Sequence, residues 1–106
     1  IIYTMTAIKK INQTVEFQAG SVVSKEIVNK PAGSITFFAF DKEQGLSEHT
    51  APYDALVIVT EGTAEITVSG EKNEVSAGEM LLMPAGAPHS LKAVQPFKMV
   101  LVMIKS

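Results

Sequence analysis

The sequence predicts an all-β fold, a sandwich or a barrel, from three observations. Short runs rich in β-branched and apolar residues recur along the chain, and turns that contain Gly or Pro separate them. Residues 63–69 alternate cleanly between apolar and polar side chains. A helical pattern is confined to residues 4–13. Many short strands at regular spacing, with turn signals between them, are typical of sandwiches and barrels.

The individual strands follow from the same signals. The run at residues 55–60 is nearly all apolar, which predicts a strand buried on both faces. Hairpin turns are predicted at Glu61-Gly62 and at residues 70–72. The N-terminal arm, residues 1–20, contains the helical candidate but is equally compatible with a strand that pairs with a partner chain. The predicted strands cover residues 22–28, 34–40, 55–60, 63–69, 73–75, 79–83, 89–94 and 97–104.

Composition fits one domain over residues 1–106 and argues against several functions. The chain is 46% hydrophobic and 19% charged, as ordinary globular proteins are. A net charge of −2 leaves no basic patch for phosphates, so we expect no nucleic-acid partner. No apolar run approaches the ~20 residues of a membrane helix, so we expect no membrane partner. The chain has no cysteine, so it has neither disulfides nor thiolate metal sites. It also lacks a basic secretion-signal segment, so the expected compartment is the cytoplasm.

The most informative segment of the chain runs from residue 78 to residue 89. Gly78, Pro84, Gly86 and His89 form the pattern G-x5-P-x-G-x2-H. Gly78 suits a turn that requires positive φ, and Pro84 should end the short apolar strand before it because it has no N–H to donate. This part of the sequence therefore predicts a strand, a turn rich in Gly and Pro, and a second strand that begins with a histidine.

His89 is predicted to point into the interior. In a strand that begins there, Leu91 shares the face of His89 and Lys92 lies on the other face. Because a lysine belongs in water, the histidine face should be the inner one. An inward histidine next to a loop is either a residue that a ligand or metal can reach or a core residue with one backbone hydrogen bond. Spacing alone favours the core residue.

The G-x5-P-x-G-x2-H pattern resembles the second conserved motif of the cupins. The first motif of that family usually reads G-x5-H-x-H-x3,4-E-x6-G, and Gly62 anchors a degenerate copy of it here. His49 matches the first histidine, whereas Ala51 and Ala55 stand where the second histidine and the glutamate would be. The resemblance implies a double-stranded β-helix, the jelly-roll barrel, over residues 34–104. It also implies a homodimer, since small cupins commonly pair.

The resemblance also bears on cofactors. In cupins that bind a divalent metal, the ligands are the two histidines and glutamate of the first motif and the histidine of the second. Only His49 and His89 carry over, and catalytic metal sites normally have three protein ligands. Asp54 is a third-ligand candidate if a β-bulge turns it onto the opposite face of its strand. We therefore expect no cofactor, with a divalent transition metal as the alternative.

The barrel should enclose one pocket that binds a small-molecule ligand. Its predicted lining is His49, His89, Tyr53 and Met83, although Tyr53 is equally an ordinary, partly exposed tyrosine. The five methionines suit either a soft pocket or gaps in the core, and core filling is the simpler interpretation. The two histidines, in turn, can simply hydrogen-bond each other, the backbone or water.

Three functional hypotheses remain from the sequence. In the first, the barrel binds a small polar or carboxylate-bearing molecule, and His49 and His89 are its hydrogen-bonding or charge-switching groups. In the second, it is a metal-dependent enzyme of the dioxygenase or isomerase type, in which Asp54 completes a metal site with the two histidines. In the third, it is an oligomerisation or regulatory module in which the histidines have no role beyond stability.

Overall fold

The computed structural model describes residues 8–105, which form nine β-strands and one short 3₁₀ turn at Ile11–Gln13. The strands are short, and each is bounded by a turn or loop, as the recurrence of Gly and Pro predicts. In chain order they are β1 Val22–Lys30, β2 Gly33–Phe40, β3 Gly45–His49, β4 Asp54–Glu61, β5 Thr63–Val68, β6 Glu71–Ser76, β7 Met80–Met83, β8 His89–Lys92 and β9 Phe97–Ile104.

The strands form two antiparallel sheets that face each other as a jelly roll. The five-stranded sheet has the order β1-β2-β9-β4-β7, and the four-stranded sheet has the order β3-β8-β5-β6. Strands that are neighbours in a sheet are often distant in the chain, because the chain crosses repeatedly from one sheet to the other. The predicted all-β jelly-roll fold is therefore confirmed.

The core lies between the sheets and is built by alternation along each strand. Ala64 and Ile66 of β5 are fully buried, as the alternation of that strand predicts. From the opposite sheet, Phe40 and Phe97 stack with their ring centroids 4.5 Å apart. Burial of each side chain of this size stabilises the fold by roughly 1.5–3 kcal/mol. These side chains therefore contribute much of the free energy that holds the two sheets together.

The two faces of the apolar strand β4 differ in burial. Ala55, Val57 and Val59 are buried in the core, as predicted. Leu56 and Ile58 point to the outer face of the five-stranded sheet, where they are only half-buried. The prediction of burial on both faces is thus correct for the inner face and only partly so for the outer one.

The turns agree closely with the sequence. Gly62 joins β4 to β5 with φ of 74°, and Gly78 precedes β7 with φ of 89°. Strand β7 ends at Met83, immediately before Pro84. The β5–β6 turn lies at Ser69-Gly70, one residue earlier than predicted, because both residues adopt positive φ there.

The sequence prediction missed strand β3. Gly45–His49 has exposed polar residues at most positions, so it lacks the apolar pattern by which the other strands are recognised. It forms because its backbone pairs with β8, Leu46 opposite Leu91 and His49 opposite His89.

The N-terminal arm is attached to the outer face of the five-stranded sheet. Within its described residues, 8–20, the helical element is the 3₁₀ turn at Ile11–Gln13. Residues 4–7 of the helical candidate lie outside the described part of the chain. Lys98 of β9, whose side chain is 6% exposed, donates a hydrogen bond of 2.6 Å from Nζ to the carbonyl oxygen of Asn12. The same ammonium lies 5.0 Å from the centroid of the Phe17 ring.

A carboxylate fixes the end of the arm. The backbone N–H of Gly20 donates to Oδ2 of Asp41 at 2.7 Å. This bond, with a second from the N–H of Lys42, holds the pKa of Asp41 below its ordinary value of 3.8, because both bonds favour the ionised form.

Across residues 8–105, no helix is both long and apolar enough to cross a membrane.

Candidate functional site

Two histidines form a cross-strand pair at one end of the four-stranded sheet. His49 is the last residue of β3, His89 is the first residue of β8, and the two are register partners. Their ring centroids lie 4.3 Å apart, with an angle of 69° between the ring planes. Residues that are far apart in the sequence are thereby brought edge to face at the same point of the barrel.

An irregularity in β3 turns His49 toward the interior. Between the pairs formed by Leu46 and His49, β3 contains one more residue than β8 does, so the register shifts. In a regular strand, residues three apart would face opposite sides of the sheet. The extra residue allows both Leu46 and His49 to line the same interior cavity.

Backbone hydrogen bonds fix the orientation of both rings. Nδ1 of His49 lies 2.7 Å from the carbonyl oxygen of Ser47, and Nδ1 of His89 lies 3.0 Å from that of Ala87. A carbonyl oxygen can only accept, so in each contact Nδ1 carries the hydrogen. In the neutral imidazole, Nε2 then has a free lone pair, available to accept a hydrogen bond or to bind a metal ion.

The two rings line a small cavity between the sheets. Its volume is about 50 Å³, room for a few water molecules. His89 is 6% exposed, whereas His49 is exposed, so the cavity meets solvent on the His49 side. The remaining walls are apolar, and the two imidazoles are the polar groups of the lining. The lining residues are Leu46, His49, Ala51, Ala55, Met83, His89, Leu91, Met99, Leu101 and Met103.

The other predicted site residues divide into two groups. Met83 lines the cavity and is 3% exposed. Tyr53 is half-buried and absent from the cavity wall, and its ring centroid lies 5.8 Å from Nζ of Lys105.

Asp54 is not brought to the histidines. It is exposed, pairs with Ile104 in the register of the five-stranded sheet, and accepts a hydrogen bond of 2.8 Å from the N–H of Ala85. The bulge that would turn it inward is not present at this point of β4, because the register with β9 is regular from Asp54 to Val59.

The donor set does not fit the divalent metal that the first motif implies. Ala51 and Ala55 both lie on the cavity wall, so methyl groups occupy the positions of the missing histidine and glutamate. Among residues 8–105 there is no cluster of three or more His, Cys, Asp or Glu side chains that could hold a metal ion. The two imidazoles alone fall short of the three protein ligands of an ordinary catalytic site.

A larger depression elsewhere has no comparable chemistry. It has a volume of about 230 Å³ and lies on the outside of the four-stranded sheet, beside Glu65 and Glu74. Oε1 of Glu65 is 3.7 Å from Nζ of Lys72, which is the arrangement of an ordinary surface ion pair. We therefore place the functional site at the smaller cavity, where the oriented imidazoles are.

Comparison with known proteins agrees with this architecture. The family model described as the cupin domain matches residues 36–105. The chain belongs to the cupin family. A crystal structure of a conserved protein of unknown function from Streptococcus pyogenes is 37% identical, with a TM-score of 0.91, and the match covers 95% of this chain and 89% of that one. A cupin 2 conserved barrel domain protein from Leptotrichia buccalis is 40% identical, with a TM-score of 0.86, over 88% of this cupin and 45% of that chain.

One solved structure with a similar fold is that of an enzyme. Salicylate 1,2-dioxygenase from Pseudoaminobacter salicylatoxidans is 19% identical, with a TM-score of 0.74, over 81% of this chain and 25% of that one. At this level of identity the likeness concerns the fold alone.

The sequence leaves Met99 and Met103 open between a soft pocket and gaps in the core, with core filling as the simpler interpretation. In the structure, β9 places both on the same inward face, four residues apart, and both line the cavity. The signal that could have identified them is their parity with Phe97, combined with the inward position of Ala55 in the neighbouring strand.

Proposed function

We propose that this cupin binds a small polar molecule at the His49–His89 pair without a divalent metal. The observation that carries this proposal is the pair of Nδ1 hydrogen bonds to backbone carbonyl oxygens, which leaves both Nε2 atoms free. Two acceptors at the edge of an apolar cavity suit a ligand with hydroxyl or amine donors. A carboxylate suits the same pair when an imidazole is protonated and donates instead.

The cavity sets a size limit on the part of the ligand that enters it. A volume of about 50 Å³ admits only a few non-hydrogen atoms. A larger ligand would extend toward solvent past His49, which is exposed. Apolar walls around the imidazoles lower the local dielectric constant, and this strengthens each hydrogen bond to the ligand.

The metal-dependent dioxygenase or isomerase is a weaker second candidate. It is motivated by the two histidines, which stand at ligand positions of the family motifs. However, Asp54 lies on the outer side of β4, where its carboxylate accepts a hydrogen bond from the Ala85 N–H, so it does not supply a third ligand. With two imidazoles and no third donor of that class in the described residues, we propose no step through a bound divalent metal.

Ligand-observed NMR with a panel of small carboxylates, alcohols and amines tests the proposed function. We expect at least one compound of the panel to bind the wild-type protein, with and without EDTA, and to lose binding in His89→Ala and in His49→Ala. Glu48→Ala is the matched control, since Glu48 is exposed and adjacent to His49. Binding that survives both histidine variants, or that EDTA abolishes, would contradict the proposal; a panel without any ligand would favour the regulatory module.

A further inference from the structure

Three methionines share the cavity with the two histidines. Met83 comes from β7, and Met99 and Met103 come from β9. Met83 and Met99 are 3% and 1% exposed. The cavity therefore combines two nitrogen donors with three thioether sulfurs, and its wall contains no oxygen-donor side chain.

The sheet register places two of these thioethers on either side of the position where the family has its glutamate. Ala55 of β4 pairs with Met83 on one side and with Met103 on the other, so the three residues form one row across the sheet. The methyl group of Ala55 is small, which leaves the space between the two methionines free of a bulky side chain. Where the family has a glutamate carboxylate, this chain therefore has the methyl group of Ala55, with a methionine next to it on each neighbouring strand.

This exchange changes which metal the site would prefer. Carboxylate oxygens suit Mn, Fe and other harder divalent ions, whereas thioethers select soft ions, above all Cu(I). Imidazole nitrogen is compatible with copper as well. The same substitutions that make the site unsuitable for the divalent metal of the family therefore make it suitable for a soft monovalent one.

We propose that the cavity binds one Cu(I) ion through Nε2 of His49 and His89 and through thioether sulfur of the methionines that line it. Neutral imidazoles and thioethers add no negative charge, and this favours a monovalent cation over a divalent one in a largely apolar cavity. The proposal goes beyond the binding of an organic molecule. Because both would use the same two lone pairs, Cu(I) and that molecule compete for the site.

Anaerobic titration of the protein with Cu(I), in competition with a coloured Cu(I) chelator such as bicinchoninate, tests the proposal. We expect the wild-type protein to withdraw a stoichiometric amount of Cu(I) from the chelator. The double variant Met83→Leu/Met103→Leu should weaken Cu(I) binding by at least about tenfold, as expected when soft ligands are removed from a site with few donors. Leucine keeps the volume of the core, so the variant should still fold.

The methionine methyl groups provide a second readout in the wild-type protein. With 13C-methyl methionine, the signals of Met83, Met99 or Met103 should shift on addition of Cu(I). The signal of Met80 should stay in place, since Met80 is 69% exposed on the other side of the sheet and does not line the cavity. Met80→Leu is accordingly the matched control in the titration.

Three results would overturn the proposal. They are failure of the wild-type protein to withdraw Cu(I) from the chelator, undiminished Cu(I) binding in His89→Ala, and equal weakening by Met80→Leu and by the cavity double variant. Each of these outcomes is independent of the proposed organic ligand. A protein that binds a carboxylate but not Cu(I) retains the proposed function and loses this inference, whereas the reverse result removes the proposed function alone.

Discussion

At the scale of single residues, backbone carbonyl oxygens fix the tautomer of both histidines and so leave Nε2 of each ring available to a ligand. Each ring donates from Nδ1 to the carbonyl oxygen two residues before it in the chain, Ser47 for one and Ala87 for the other. Neither contact uses a carboxylate, so neither ring is held in its tautomer by a charge. The inward direction of His89 could be predicted from parity with Leu91. That of His49 could be predicted only from the resemblance to the first cupin motif, because an extra residue in β3 breaks the alternation between Leu46 and His49.

Gly62 provides a prediction at this scale. Its φ is 74°, and a Cβ there would collide with the carbonyl oxygen of Pro96. Gly70 also has positive φ, of 81°, but a Cβ there would meet no atom within 4 Å. We expect Gly70→Ala to cost about 1–2 kcal/mol for the left-handed conformation alone. Gly62→Ala should cost about 1–3 kcal/mol more for the overlap.

Urea denaturation of the two glycine variants measures this difference directly. Both turns lie at the ends of β5, so the comparison removes most differences of context. Equal free energies of unfolding for Gly62→Ala and Gly70→Ala would show that the close approach of Pro96 does not constrain this turn.

At the scale of elements, Lys98 attaches the N-terminal arm to the sheet. Its ammonium donates to the Asn12 carbonyl oxygen and lies 3.6 Å from Oε1 of Glu16 and 3.8 Å from Oε1 of Glu61. Both glutamates are substantially exposed, at 73% and 44%, so each ion pair contributes little on its own. The buried hydrogen bond to the carbonyl is the stronger contact.

Lys98→Ala should therefore loosen the arm. We expect a loss of about 1.5–3 kcal/mol, the usual value of a hydrogen bond to a charged group, together with faster proteolytic cleavage between residues 8 and 20. Lys92→Ala is the control, because Lys92 is exposed on β8 in the four-stranded sheet, away from the arm. Limited proteolysis and thermal denaturation provide the measurements, and unchanged cleavage of the arm in Lys98→Ala would contradict this role.

The same scale shows where sequence reasoning succeeds and fails. Strands with a buried face, such as β5 and β9, could be located because their side chains alternate or form long apolar runs. Strand β3 could not, because its exposed residues carry no such pattern and its pairing with β8 is a long-range contact. Met99 and Met103 were recognisable as inward residues, but their place beside the histidines depends on how the two sheets face each other.

At the scale of the whole molecule, the outer face of the five-stranded sheet is unusually apolar. Met80, Leu82 and Ile104 on it are 69%, 55% and 52% exposed. Exposed apolar patches of this kind mark interaction surfaces. The outward apolar residues are Ile35, Phe37, Leu56, Ile58, Met80, Leu82, Val100, Val102 and Ile104.

We propose that this face pairs with the same face of a second copy. Five strands of about seven residues give a footprint of roughly 24 × 23 Å, or about 550 Å². A stable interface usually buries about 800 Å² on each partner. The footprint falls short of that value, so we expect a homodimer that dissociates on dilution.

Sedimentation velocity over a range of concentrations tests the dimer. We expect Leu82→Glu to shift the protein to monomer, because the charge would be buried without a partner. Thr67→Glu adds the same charge to the outside of the other sheet and should leave the dimer unchanged. A wild-type protein that is monomeric at every concentration, or a dimer insensitive to Leu82→Glu, would contradict this assignment.

The central claim is that this barrel has kept the histidine pair of its family without the ligands for a divalent metal. Elemental analysis of the protein, purified without an affinity tag, tests it most directly. The structure predicts only traces of Zn, Fe, Mn and Ni, both as purified and after incubation with each ion followed by desalting. A stoichiometric amount of any of these metals, lost in His49→Ala and in His89→Ala, would show that a third ligand is recruited and would contradict the account.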